Sequence, residues 1–340
     1  MKHYGLLIAL IAALMLPLLA FSQQRFHRQL PPGNYSAICP IGDNRYAVVS
    51  DKSAEDGFFI LLITIDSLRT RIASMTNEGY RSSGLKNRDM EGICYFPLAR
   101  TLFISGEQDN EVVEYTLDGH RTGRRLNMPA DFRRASHNFG LESLCYDSLR
   151  HRFFTTTERP LPGDSLLRIQ AFTDDLQPAE CYFYRPDAPL NRKYFHGVSA
   201  LCALSDGRLL VLERQIRVPR LKLGARTLIR IYEVTPPSPS APAGSPRQPP
   251  SLSTPAEGPH RPPSPSASAG FPRRPPSPLP KHLLLEFTTR LSLTSRKFAN
   301  YEGLCEPAPG LLLLVADSQN RYKGILRDWF RLVSIKKTKK

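Results

Sequence analysis

The sequence predicts an all-β ring of five to six stacked antiparallel sheets, a propeller, and three observations predict it. A short phrase ending in cysteine recurs five times at a period of about 50 residues, each copy is followed by an apolar strand ending in an acid, and a third strand follows in most copies. The phrases are Ser36-Ala37-Ile38-Cys39, Glu91-Gly92-Ile93-Cys94, Glu142-Ser143-Leu144-Cys145, Ser199-Ala200-Leu201-Cys202 and Glu302-Gly303-Leu304-Cys305. Their cysteines are 55, 51, 57 and 103 residues apart. The last interval contains an insertion of roughly 45 residues, and without it the interval falls near the same period.

The strands that follow each phrase close on Asp51, Glu107, Glu158, Glu213 and Asp317. Third strands are read at Glu111–Tyr115 and Leu228–Val234. One such meander cannot bury both of its faces, so consecutive sheets must stack, and closing the stack into a ring leaves only short, protected edges. The stretch from His282 to Leu293 leaves room for a sixth blade, and the segment after Gln23 is available to complete the last one.

The recurring cysteine reads as a small hydrophobe packed between blades, against the alternative of disulfides, because equivalent positions in different blades lie too far apart to be bridged. Cys181 stands outside the pattern.

Before the repeats, Lys2 and His3 lead into an apolar run from Gly5 to Ala20 that is broken by Pro17 and ends in Ala20-Phe21-Ser22. This reads as a signal peptide over residues 1–22 with cleavage near Ser22, the alternative being an uncleaved anchor helix. A periplasmic or secreted protein follows, with no stable membrane insertion after cleavage. The propeller domain is expected over 23–335, interrupted at 236–280 by a Pro/Ser/Arg-rich insertion that cannot bury enough apolar area to fold, with a basic tail at 336–340. The insertion accounts for many of the 31 prolines, and part of the net charge of +15 lies there and in the tail. Export and the absence of any familiar motif argue against a nucleic-acid partner. A monomer acting on a small anionic or ester substrate is expected.

The acids recur in register. Glu91, Glu142 and Glu302 precede their cysteines by three, with Ser36 and Ser199 in the other two copies. From this position to the closing acid the spacing is 15, 16, 16, 14 and 15 residues, the length of a strand, a hairpin turn and a returning strand. Carboxylates brought to one rim of several blades repel one another unless cations or arginines offset them. Calcium, held through oxygen ligands, is the cation expected, with Glu91, Glu142, Glu302 and Asp317 as ligands. The alternative is that these acids tie neighbouring blades together. Glu107 and Glu158 are candidate catalytic carboxylates, and His137 and His196, just before blade-opening strands, are candidate acids or bases. Basic pairs before the same strands put Arg88, Arg134, Arg192 and Arg296 forward as contacts for an anionic substrate group. No nucleophile elbow, phosphate-cradling glycine loop, zinc signature or EF-hand loop is present, so a hydrolase of this kind would use a metal-activated water.

These residues carry a family resemblance. Asp89-Met90-Glu91-Gly92-Ile93, Asn138 to Leu144, Ser205 to Arg214, and Asn300 to Leu304 with Ala316 to Asn320 resemble successive blade signatures of the phytase-like family, also called esterase-like activity of phytase. The resemblance spans about Asn34 to Phe330 apart from the insertion. It implies a secreted or periplasmic propeller that hydrolyses a phosphate or carboxylate ester. Ser143 departs from the family's glycine, and Ser199 stands where three blades carry an acid. The other function class is a non-catalytic exported propeller that binds a protein or carbohydrate.

Overall fold

The computed structural model describes residues 23–335 except His27, His137, Leu221 and 238–276. The signal peptide, most of the insertion and the basic tail lie outside the described residues.

Twenty strands form five four-stranded antiparallel sheets. After β1 (Gln23–Arg25), the first blade is β2 (Tyr35–Gly42), β3 (Arg45–Ser50), β4 (Glu55–Ile65) and β5 (Ile72–Lys86). The second is β6 (Met90–Phe96), β7 (Thr101–Gly106), β8 (Glu111–Tyr115) and β9 (Arg121–Arg125). The third is β10 (Leu141–Asp147), β11 (Arg152–Thr157), β12 (Leu167–Phe172) and β13 (Pro178–Tyr184). The fourth is β14 (Phe195–Ala203), β15 (Leu209–Arg217), β16 (Arg226–Val234) and β17 (Lys281–Arg290). The fifth is β18 (Asn300–Ala308), β19 (Leu311–Asp317) and β20 (Trp329–Ser334), completed by β1 from the other end of the chain. The ring is therefore a five-bladed propeller, and no α-helix occurs among the described residues.

The stretch His282–Leu293 does not begin a sixth blade. Most of it is β17, the outer strand of blade four, which pairs with β16 along its length. The insertion is thus the loop of a β16–β17 hairpin, and its length in the chain separates two strands that are neighbours in the sheet.

Strand composition follows position. β7, β15 and β19 lie inside their sheets with a neighbouring blade on either face, so both alternating sets of side chains need burial and the strands are nearly continuous apolar runs. The outermost β17 is largely exposed or half-buried along its length.

Around the axis stand the innermost strands β2, β6, β10, β14 and β18, each in contact with the next. Glycine marks the tightest approach: a Cβ on Gly92 would lie 2.7 Å from the Leu144 backbone nitrogen of the adjacent blade. Between blades lie five hydrophobic cores, and each contains one of the recurring cysteines, Cys305, Cys202, Cys39, Cys94 and Cys145. All six cysteines are free, and Cys181 alone among them is exposed.

Candidate functional site

Each innermost strand carries a β-bulge at the same rung. The pairing shifts between Tyr35 and Ala37, Met90 and Gly92, Leu141 and Ser143, Val198 and Ala200, and Tyr301 and Gly303. The extra residue is Ser36, Glu91, Glu142, Ser199 or Glu302, and all five are buried. A bulge re-aims one side chain without disturbing the rest of the strand. Here it gathers Glu91, Glu142 and Glu302 at one end of the channel, where they line a cavity of about 10 Å³ with Ser199. That is room for about one water.

Beyond the bulge, the two strands meet at homologous rungs: Asn34 with Asp51, Asp89 with Glu107, Gly140 with Glu158, Gly197 with Arg214, and Asn300 with Asp317. The fourth blade therefore presents Arg214, and not Glu213, at the ring position of the closing acids. Side chains alternate across a strand, so Glu213 points the other way, where it accepts from the Asp187 backbone nitrogen at 2.9 Å and pairs with Lys281 at 2.7 Å. The spacing of 14 residues from Ser199 to Glu213, shorter than the 15 or 16 of the other blades, was the sequence signal; Arg214 restores 15.

Arg214 is the hub of the cluster. Its Nη2 donates to Glu142 and to Glu158, each at 3.1 Å, and its Nη1 donates to Glu302. Burial works against the guanidinium charge, but Glu158, Glu142 and Glu91 outweigh it and hold its proton affinity above the ordinary arginine range. Burial likewise pushes Glu142 well above the usual carboxylate range, with Glu158 adding to the effect and Arg214 opposing it. Asp317 is raised by burial too, against its bond from the Gln319 backbone nitrogen. At the center, then, an arginine offsets the acids.

Toward blades one and two, Asp51, Asp89 and Glu91 place a carboxylate oxygen each within 4.8 Å of one another. Asp51 Oδ1 is buried and has no hydrogen-bond partner, while Lys52 Nζ sits 3.1 Å from Asp51 and 2.6 Å from Asp89. Burial raises Asp51 to about 7, with Asp317 and Asp89 adding and Lys52 opposing. Glu91 rises well above its ordinary value through burial, Glu142, Asp51 and Glu107. Three oxygen donors with one vacant acceptor fit a hard divalent cation such as calcium.

Glu107 and Glu158, the candidate catalytic acids, reach this same face. Glu107 accepts from the Gly140 backbone nitrogen at 3.2 Å, and burial raises its proton affinity. Glu158 is buried against Gly197, whose Cβ, if present, would lie 2.4 Å from its side chain. His196 is half-buried on β14, and burial and Arg159 lower its proton affinity, which favours the neutral ring. His137 lies outside the described residues.

The four basic candidates are dispersed. Arg88 is buried within blade two, donating to the Glu111 carbonyl at 2.8 Å and pairing with Asp109 at 3.3 Å. Arg134 donates to the Pro162 carbonyl, and Arg192 and Arg296 are exposed. A different cation stands at the acid face. The Arg159 guanidinium lies over two phenyl rings, 4.2 Å from Phe139 and 4.0 Å from Phe195. Sequence reading missed it because the arginine and its two rings come from three separate segments.

Ile38, Ile93, Leu144, Leu201 and Leu304 border both the acid-end cavity and a second cavity of about 410 Å³ ringed by the five recurring cysteines. They partition the channel, so the acid end and the cysteine end are separate environments. No helix among the described residues is long and apolar enough to cross a membrane.

Among solved structures the chain is similar to a streptogramin B lyase, at 10% identity over 93% of this chain and 98% of that chain with a TM-score of 0.41. It is similar to a luciferin-regenerating enzyme at 9% identity, 94% and 97% coverage and a TM-score of 0.44. It is also similar to the PQQ-bound aldose sugar dehydrogenase of Streptomyces coelicolor at 10% identity, 93% and 98% coverage and a TM-score of 0.38. No curated protein sequence matches it. The family model for esterase-like activity of phytase matches residues 31–318, a span that runs from just before the first blade to the end of the closing-acid strand of the fifth, and the chain belongs to this phytase-like family.

Proposed function

We propose that the protein is an exported hydrolase of phosphate or carboxylate esters, with its reacting centre on the acid face toward blades one and two. The observation that carries this reading is the convergence of Asp51, Asp89 and Glu91 beside a buried, unpartnered Asp51 oxygen. The axis itself is filled by Arg214 and its carboxylates, which leaves the rim as the place with donors to spare. Asp51, Asp89 and Glu91 would hold a divalent cation, calcium first, displacing Lys52. When bound, the cation would supply Lewis acidity toward a water and an ester oxygen.

Glu107 suits a general base. It is less enclosed than Glu142 or Glu158, its proton affinity is raised, and one of its oxygens is oriented by the Gly140 amide. His196, neutral near pH 7, is a second candidate for moving a proton. Membership of a phytase-like family of esterase-like type supports the reaction class.

A second reading, a non-catalytic propeller that binds a protein or carbohydrate, is favoured by the way Arg214 of blade four ties the acids of blades three and five. Assays on p-nitrophenyl acetate and p-nitrophenyl phosphate, with calcium and with chelator, decide between them. The hydrolase reading expects turnover that falls at least tenfold on chelation and again in Asp51→Asn. No turnover of either substrate supports the binding module, and turnover indifferent to chelation removes the metal.

A further inference from the structure

Arg159 is a cation with a prepared but unused hydrogen-bonding edge. Its guanidinium packs against two rings, Phe139 of the segment before β10 and Phe195 of β14, whose centroids lie 5.7 Å apart, so the pair forms a platform beside it and does not enclose it. Its Nε donates to the His196 carbonyl at 3.2 Å, which fixes the rotation of the plane. Among the described residues neither Nη1 nor Nη2 has a hydrogen-bond acceptor, and the nearest acid in sequence, Glu158, is already engaged by Arg214. A surface arginine held only for charge balance would be free to swing. This one is stacked, oriented and left with its end-on fork open.

With Nε held by the His196 carbonyl, the Nη N–H groups are the ones left to bond, and their fork matches two oxygens of a planar or tetrahedral oxyanion. Phe195 is 42% exposed, so the platform borders solvent and an anion can reach it. The stack adjoins the acid face: Phe139 precedes Gly140, which donates to Glu107, and Arg159 follows Glu158.

We infer that Arg159, packed against Phe139 and Phe195, is the anchor for an anionic group of the substrate, a phosphate or carboxylate, and so selects esters that carry such a group over neutral ones. This rests on the hydrolase reading for the word substrate, but the anion site itself does not. The anchor acts through position: it binds the oxyanion end-on while the reacting ester is presented to the acid face.

Calorimetric titration with inorganic phosphate and, separately, with benzoate tests it, with chelator present so that no cation contributes. The wild-type protein is expected to bind at least one of the two anions, and the stronger one names the group. Arg159→Gln is expected to weaken that binding at least tenfold, and Arg159→Lys, which keeps the charge but not the fork, to weaken it by a smaller factor. Phe195→Leu, which removes one ring of the platform, is expected to fall between. Thermal unfolding of each variant checks that the fold is retained. Binding of neither anion by the wild type, or wild-type affinity in Arg159→Gln, overturns the anchor. If phosphate or benzoate binds through Arg159 and no ester is cleaved, the anchor stands and the hydrolase reading falls; if p-nitrophenyl acetate is cleaved and no anion binds, the reverse holds.

Discussion

Arg214 reaches from blade four to the Glu142 carboxylate of blade three, 3.1 Å away, and the same guanidinium holds Glu302 of blade five. One side chain thus bridges three blades at the axis. Because it is enclosed, its removal would leave several carboxylates in a poorly solvated place with no counter-charge. Replacing one partner of a buried ion pair costs about 3–5 kcal/mol. Arg214→Met is therefore expected to lower stability by about that amount in equilibrium denaturation, and adding Glu142→Gln and Glu302→Gln should recover part of it. A loss within the range of an ordinary surface change, about 0.5 kcal/mol, would mean that the cluster is wetter than its burial implies.

The acids also set a pH dependence. Asp51 is raised to about 7, and Glu91 and Glu142 are raised well above their ordinary value, so the folded state binds more protons than the unfolded one between about pH 4 and 7. Stability is then fully present below the unfolded carboxylate range and is lost as pH rises, by about 1.4 kcal/mol per unit for each net proton. His196, whose proton affinity is lowered, contributes with the opposite sign below its ordinary value. In chelator the denaturation midpoint is expected to fall from pH 5 to pH 8, and calcium should restore it at the upper end. A midpoint that rises over this range would contradict the raised proton affinity of these enclosed carboxylates.

Thiol chemistry should separate the cysteines cleanly. Burial raises the five recurring thiols far from the thiolate form, and Cys181 alone is exposed. Titration of the native protein with a disulfide reagent is expected to modify one thiol quickly and all six only after unfolding. Mobility on a gel should not depend on reductant. A native protein with no titratable thiols would point to disulfides in place of the packed cysteines.

The insertion leaves the outer edge of blade four where Val234 pairs with Lys281. Tyr182 donates to the Pro237 carbonyl at 3.4 Å and Leu279 to the Phe183 carbonyl at 2.7 Å, so the roots of the loop are held by blade three. Replacing residues 238–276 with a short glycine-serine turn is expected to leave circular dichroism unchanged and to raise stability by about 1 kcal/mol, because each halving of loop length returns about 0.6 kcal/mol of closure entropy. A collapse in solubility would show that the segment shields part of the ring.

Much of this was legible in the residues. The phrase ending in Cys39, Cys94, Cys145, Cys202 and Cys305 marks the innermost strands because close packing around an axis restricts that position to small apolar side chains in every blade. The segment after Gln23 was available to complete the last blade, and it does so as β1. Three things were less legible. The only mark in the chain is a spacing of 14 residues from Ser199, so the apolar run ending at Glu213 looked like its siblings when the register in fact passes to Arg214. Similarly, the long insertion between Val234 and His282 left a sixth blade open as an alternative to the hairpin that β16 and β17 form. The Phe139–Arg159–Phe195 stack depends on how blades three and four are juxtaposed, and no local pattern encodes that.

The clasp of β1 on β20 is three residues long, with Gln23 beside Arg331 and Arg25 beside Trp329. It gains from outside the sheet: Gln24 exchanges two hydrogen bonds with the Ile72 backbone, at 2.7 and 3.0 Å, so it grips the neighbouring blade as well. Under tension applied to the two termini, this short seam is where the molecule should yield first, uncoiling into an open spiral before any blade comes apart. Joining those termini and cutting the chain within 238–276 would move that mechanical weak point to the opposite side of the circle.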